Sequence, residues 1–285
     1  MRERKQSRFL LFVLAFGCFN FVSPLYAQEI QITGPLAGAP AVRRMRMYRV
    51  MRVNVVPGIG YTLQDEFSRS LFVGLEANFH FLDWLGIGIW AGYAAALINT
   101  DLTSRVMERG QVTSRNRFSL PDREQFDKQI GRIQWAVSAH LIFIPLRGKL
   151  SLFQSVFVDT DLYVLGGAAL FGIEERASTT IDESGCGERF DQAKCRESQL
   201  ARAGRVAPTP MFGVGLSMYV NSWFGLTIEW RGFPFSWNPS GTDEAGPNGP
   251  FPDGKIDGTD SRTTFNHMVF GGLAFLLPPD LKISD

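Results

Sequence analysis

Between Phe72 and Phe81 the sequence alternates with a period of two. Val73, Leu75, Ala77, Phe79 and Phe81 fall on one side, and Gly74, Glu76, Asn78 and His80 on the other. Successive side chains of a strand point to opposite faces, so this pattern predicts a strand with one apolar and one polar face. Arg132 to Phe143 repeats it: Ile133, Trp135, Val137, Ala139, Leu141 and Phe143 oppose Arg132, Gln134, Ser138 and His140. Eight strands are predicted, near 46–63, 70–82, 86–99, 130–144, 155–172, 210–221, 225–236 and 263–277.

Alternation alone does not name the solvent, because the strands of a soluble sandwich alternate too. Loop length separates the two cases. Connections after the second, fourth and sixth strands are short (Leu82 to Leu85, Pro145 to Lys149, Asn221 to Phe224), whereas 100–129, 173–209 and 237–262 are long and polar. Short turns on one rim and long loops on the other are the pattern of an outer-membrane barrel. The expected fold is all-β: a closed, antiparallel, up-and-down, eight-stranded transmembrane β-barrel with short periplasmic turns and long extracellular loops.

One stretch argues for a helix when read alone. Trp84 to Thr100 carries no charge for 17 residues and contains the GxxxG spacing Gly88 to Gly92, a feature of closely packed membrane helices. An internal repeat overturns that reading. FVGLEANFHFLDWLGIGI (72–89) aligns without gaps to MFGVGLSMYVNSWFGLTI (211–228), matching Gly74 to Gly213, Trp84 to Trp223 and Gly86 to Gly225. At its end and just beyond, Thr227, Glu229 and Arg231 hold the alternate positions that Gly88, Trp90 and Gly92 hold in the first copy. A strand between lipid and a polar lumen accepts such exchanges; a spanning helix does not. Ile87, Ile89, Ala91 and Tyr93 are then expected to face lipid, with Gly88, Gly92, Ala94 and Ala96 leaving lumen space for charged side chains opposite. Trp84 and Trp223, one at each matched turn, are expected in an interfacial aromatic belt.

Val56 to Asp65 (VPGIGYTLQD), Leu146 to Phe153 (LRGKLSLF), Asp161 to Gly167 (DLYVLGG) and Asn221 to Leu226 (NSWFGL) resemble blocks of the small outer-membrane beta-barrel domain family common in myxobacteria and relatives. The resemblance spans roughly residues 40–280. It implies an eight-stranded, OmpA-like barrel and, for members with assigned roles, parts of envelope complexes such as gliding machinery. It carries no catalytic motif. The tail Leu276 to Asp285 after Phe275 departs from the terminal aromatic that usually ends a barrel assembly signal.

Composition adds an address. MRERKQSR is basic, FLLFVLAFG is apolar, and Ala27 precedes a cleavage position before Gln28, so residues 1–27 are expected to be a secretory signal peptide. An uncleaved anchor helix and a lipoprotein signal at Cys18 are the alternatives. Residues 28–44 are expected to form a periplasmic segment, 45–278 the barrel and 279–285 a tail. Removing 1–27 takes away Arg2, Arg4, Lys5 and Arg8 with Glu3, leaving 25 basic against 27 acidic residues. Such a balance gives no bulk attraction to nucleic acid. Cys18 is lost too, and Cys186 and Cys195, in a polar stretch of an exported chain, are expected to form a loop disulfide; half of a metal site is the rival reading.

Candidate chemistry concentrates in the lumen. The expected inward residues are Arg52, Asn54, Glu76, Asn78, His80, Arg132, Gln134, Ser138, His140, Asp161, Glu229 and Arg231. Buried charges need partners, so Glu76, Asp161 and Glu229 are expected to pair with Arg52, Arg132 and Arg231, plugging an interior just wide enough for side chains. A narrow gated pore is the alternative. Ser138 and His140, with Glu76 and His80 on the same face, raise a second one: a lipid-modifying enzyme using nucleophile, base and acid. Because this face points away from lipid, the reading preferred is a non-enzymatic barrel. Asp253, Asp257 and Asp260 raise calcium, but their spacing suits a Gly/Pro/Asp turn, and no metal or cofactor is expected. Arg43, Arg44, Arg46, Arg49 and Arg52 suit phosphate contact at the periplasmic leaflet. Expected partners are outer-membrane lipid and other envelope proteins, and the location is the outer membrane of a Gram-negative bacterium.

Overall fold

The computed structural model describes residues 49–63, 65–109, 126–152, 156–180, 201–251 and 253–278. The predicted signal peptide, the segment 28–44, the 279–285 tail and the pair Cys186 and Cys195 lie outside these residues. The described strands are β1 (Arg52–Thr62), β2 (Ser68–His80), β3 (Leu85–Asn99), β4 (Arg132–Leu152), β5 (Val156–Arg176), β6 (Thr179–Thr180), β7 (Arg202–Tyr219), β8 (Phe224–Trp237), β9 (Lys255–Ile256) and β10 (Arg262–Leu277). Eight of them close into a ring in the order β1-β10-β8-β7-β5-β4-β3-β2, all antiparallel, while β6 and β9 form a small separate sheet.

The ring sorts side chains by strand parity. In β3, Ile87, Ile89 and Tyr93 are exposed on the outer wall while Trp90 between them is 1% exposed inside. Val73, Leu75, Val137, Leu141, Val164, Phe212, Val214, Leu226, Ile228 and Leu273 continue the exposed apolar band around the ring. An apolar outer band on a closed sheet leaves no unpaired edge in hydrocarbon. No helix among the described residues is long and apolar enough to cross a membrane.

The two copies of the repeat are the β2–β3 and β7–β8 hairpins. Two strands separate them on either side of the ring, so they face each other across the barrel. Their turns carry Trp84, in edge contact with Phe143 at 5.8 Å, and Trp223, stacked on Phe275 at 6.3 Å. Both Trp side chains are exposed on the short-turn rim.

Three expectations need correction. The sequence between Pro145 and Lys149 is no turn: a bulge between Phe143 and Leu146 absorbs Pro145, and β4 continues to Leu152, pairing Arg147 with Asp161 and Lys149 with Asp159 of β5. A bulge takes up a residue that cannot donate to the ladder. Secondly, β5 and β7 remain paired up to Arg176 and Arg202, so the loop predicted at 173–209 is much shorter. Thirdly, the register shift between Ile133 and Trp135 reverses the parity of β4 at its start. Ile133 is therefore buried, and Arg132 and Gln134 leave the lumen, Gln134 being exposed and bonded to Glu174 at 2.7 Å.

The predicted loops are also more structured than their polarity implies. Two helices, α1 (Asp101–Arg109) and α2 (Phe126–Gln129), follow β3, and a 3-10 turn over Gly258–Asp260 precedes β10.

Candidate functional site in the barrel lumen

The middle of the lumen is built around Arg231 on β8, which is 0% exposed. Its Nη2 meets Glu76 Oε2 of β2 at 2.7 Å, and its Nε donates to Glu229 Oε2 at 2.7 Å, with a second, shorter contact from Nη2. Trp90 and Phe270 cover the guanidinium, their ring centres 5.0 and 5.1 Å from Cζ. Glu76 also accepts from Asn78 Nδ2 at 2.8 Å and faces His140 Nε2 at 3.4 Å. Tyr163 on β5 donates its hydroxyl to the other oxygen of Glu229. One cation thus serves two carboxylates, whose remaining oxygens have partners, as buried ions require.

Glycine makes the room for this cluster. A Cβ at Gly88 would collide with Asn78 Oδ1 and His140 Nε2.

Towards the short-turn rim a second group closes the mouth. Arg49, just before β1, pairs with Asp161, lies 4.6 Å over the Tyr219 ring, and donates its backbone N–H to Asp83 at 2.9 Å. Arg52 turns to the C-terminal end of β10, donating to the carbonyls of Pro278 at 2.6 Å and Ser222 at 2.9 Å. His80 is buried at the same level. Arg49 thus joins the lumen, although the basic cluster suggested a lipid phosphate for it, while Arg43, Arg44 and Arg46 lie outside the described residues.

Towards the long-loop rim the lumen turns apolar. Phe171, Phe233, Phe235, Trp237, Ile133 and Ile173 are buried there, with Phe171 4.8 Å from Phe233 and 5.0 Å from Phe235. Above them the chain from 238 to 243 is buried and folds over the opening. Glu175 accepts Asn238 N at 2.7 Å and pairs with Arg205; Gln129 donates to Ser240 O at 3.1 Å and Arg176 to Gly241 O at 2.9 Å. Asp260 Oδ1 takes the amides of Glu244 (2.7 Å) and Ala245 (3.1 Å), and its Oδ2 that of Asp257 (2.8 Å).

The carboxylates of the 253–260 loop therefore cap backbone amides rather than converge. Asp253 accepts Lys255 N at 3.0 Å. Asp257 accepts Thr259 Oγ1 at 2.6 Å and Thr259 N at 2.8 Å, two hydrogen bonds that hold its carboxyl below its ordinary range. Among the described residues no three His, Cys, Asp or Glu side chains are placed to share a metal ion. In the β1–β2 loop, burial pushes the Asp65 carboxyl up to about 6, against the opposing hydrogen bond of Thr62 and the charge of Arg69.

Ser138 and His140 sit side by side on the inner face of β4, each at most 3% exposed. Ser138 Oγ makes no hydrogen bond among the described residues, and His140 turns to Glu76. A nucleophile must be bonded to its base and open to substrate; this pair meets neither condition.

A closed strand ring, an apolar outer wall and a charged, packed interior now stand together. The chain is an outer-membrane-type β-barrel. Solved structures similar to the barrel include the outer membrane protein OprG from Pseudomonas aeruginosa, 10% identical over 82% of this chain and 99% of that one, with a TM-score of 0.41. The N-terminal beta-barrel domain of Pseudomonas aeruginosa OprF is 10% identical over 80% of this chain and 98% of its own, TM-score 0.39. Neisserial surface protein A is 8% identical over 79% and 95%, TM-score 0.38. No protein-family model matches the barrel, and no curated protein matches it in sequence.

Trp90, Tyr163 and Phe270 are the residues packed around Arg231 and Glu229 that polarity did not flag. Tyr163 shares the parity of Asp161 two residues earlier, a usable signal. Phe270 lies on an inner face with Met268, Ala274 and Leu276, so no polar alternation marks it.

Proposed function

We propose that the chain is an integral protein of a Gram-negative outer membrane, a sealed barrel whose capped long-loop end docks other envelope proteins. The closed midsection carries this reading: Arg231, Glu76 and Glu229 are each at most 1% exposed, and an eight-stranded ring has no width for an aqueous path once side chains fill it. The resemblance to the myxobacterial barrel family supports a place in an envelope complex. On this reading residues 1–27 are the export signal, and Cys186 and Cys195 form a disulfide in the long β5–β7 connection.

Planar-bilayer recordings of the purified barrel test the seal, with no unitary conductance expected; stable ion steps would establish the narrow pore instead. Photo-crosslinkers placed at Glu108 in α1 and Lys255 in the cap should capture envelope proteins in native outer membrane. Their failure to capture any protein there would remove the docking role.

A further inference from the structure

β7 and β8 form a ladder only from Phe212–Gly232 to Tyr219–Gly225. Both strands nevertheless run on, β7 to Arg202 against β5 and β8 to Trp237 against β10. Continuing their register sets Pro210 opposite Pro234. Thr209 Oγ1 donates to the Pro234 carbonyl at 2.7 Å, so Pro234 turns its backbone towards β7 and its register partner Pro210 turns towards β8. A ladder needs an N–H from each, and proline has none. One step further, Pro208 stands opposite Ser236 and again lacks the donor; Arg205 Nη2 binds the Ser236 carbonyl instead, at 2.5 Å. Three prolines have replaced a backbone seam by side-chain latches.

The seam has a defined floor and depth. Phe212 and Phe265 pack at 5.2 Å and close over Gly232, where a Cβ would meet their rings at 3.1 and 2.7 Å. Pro210 is nine residues from Tyr219, about 23 Å along the axis for a strand tilted by roughly 40°. That puts the opening near the outer edge of the roughly 25 Å apolar band. Directly behind lie Phe171, Phe233 and Phe235 with Ala207 and Met211, all buried. At the mouth, Arg205 is 41% exposed beside Glu175. The β3–β4 ladder also stops early, at Tyr93 and Trp135, but β4 extends only three residues beyond.

We propose that this seam is a lateral binding site for a long-chain fatty acid dissolved in the membrane. The hydrocarbon chain passes between β7 and β8 above the Phe212–Phe265 pair and lies against Phe171, Phe233 and Phe235, and the carboxylate stays at the mouth with Arg205. Parting the strands costs the Thr209–Pro234 and Arg205–Ser236 bonds, where the lower half of the same seam would cost a backbone ladder. The site is independent of whether the cap docks a partner.

Binding of cis-parinaric acid to the full-length barrel in dimyristoylphosphatidylcholine nanodiscs tests this, read as energy transfer from tryptophan. Two locked variants are compared with it. In a background with Cys186 and Cys195 replaced by serine, Met211→Cys with Phe233→Cys joins register partners across the seam on oxidation; Pro210→Val with Pro234→Val restores two ladder donors. Heat-modifiable gel migration checks that each is folded. Saturable binding is expected for the native barrel. Affinity should be at least tenfold lower in the valine form than in the native barrel, and at least tenfold lower in the oxidised cysteine pair than in the same pair reduced, a comparison that holds the loss of the Phe233 ring constant. Arg205→Gln should weaken parinarate at least threefold but leave its methyl ester unchanged. The site is overturned if the native barrel shows no saturable signal above protein-free nanodiscs, if folded, locked forms bind as tightly as their unlocked counterparts, or if phosphatidylcholine with brominated acyl chains quenches Trp237 while parinarate fails to compete.

Discussion

Arg231 Nη2 and Glu76 Oε2 meet at 2.7 Å across the lumen, from strands three places apart in the ring of eight. Their contact ties opposite walls together at a level where neither side chain reaches solvent. Removing the cation should therefore cost far more than a surface ion pair. Arg231→Met leaves Glu76 and Glu229 buried without a counter-charge, and a loss of about 3–5 kcal/mol is expected in urea unfolding of the refolded barrel. The triple change Arg231→Met, Glu76→Gln and Glu229→Gln should recover much of that loss, because no bare charge remains.

Gly88→Ala is expected to destabilise the barrel by about 1–3 kcal/mol through overpacking. Its added methyl displaces Asn78 and His140 from Glu76. Parallel unfolding of Gly166→Ala is the control, since a Cβ there enters open space and should change little.

Asp65 should titrate near pH 6. Its folded pKa lies above the ordinary 3.8 because burial penalises the ionised form. The folded state therefore holds the proton more tightly, and the contribution of Asp65 to stability falls as pH rises from about 4 to about 6, then stays low. The carbon chemical shift of its carboxyl group should give the midpoint directly, and Asp65→Asn should abolish this part of the pH dependence, worth up to about 3 kcal/mol.

Glu175→Ala should loosen the cap without opening the barrel. It removes the acceptor of the Asn238 amide and the partner of Arg205. Protease added outside intact cells should cut between residues 238 and 260 several-fold faster, while the heat-modifiable migration of the barrel is unchanged.

The alternation in β2 and the repeated hairpin were enough to read the strand number, the parity of β3 and the centre of the lumen. Glu76, Glu229 and Arg231 were legible because a charge in an otherwise apolar strand must face inwards. Arg132 was misread because a one-residue bulge reverses every side chain beyond it, and nothing in IQW announces a bulge. The pairing of Asp161 was hidden for a different reason. Its partner Arg49 precedes the strand, where a basic run reads equally well as a lipid-phosphate contact. The extensions of β4, β5 and β7 carry Arg147, Lys149, Glu174 and Arg202, and strand outside the hydrocarbon is as polar as a loop.

The facing hairpins have one more consequence. Equivalent positions of the two copies hold Glu76 and Gly215, Gly88 and Thr227, Trp90 and Glu229, Gly92 and Arg231. At three of these four pairs of positions a glycine in one copy corresponds to a larger residue in the other, and at the remaining one a ring corresponds to a carboxylate. Had the copies stayed identical, the same cross-section would carry either two cations and no room, or space with nothing to fill it. The duplicated hairpin could become a solid barrel only by breaking its own symmetry, so substitutions at paired positions should be accepted jointly and rejected singly, and neither hairpin should be able to stand in for the other.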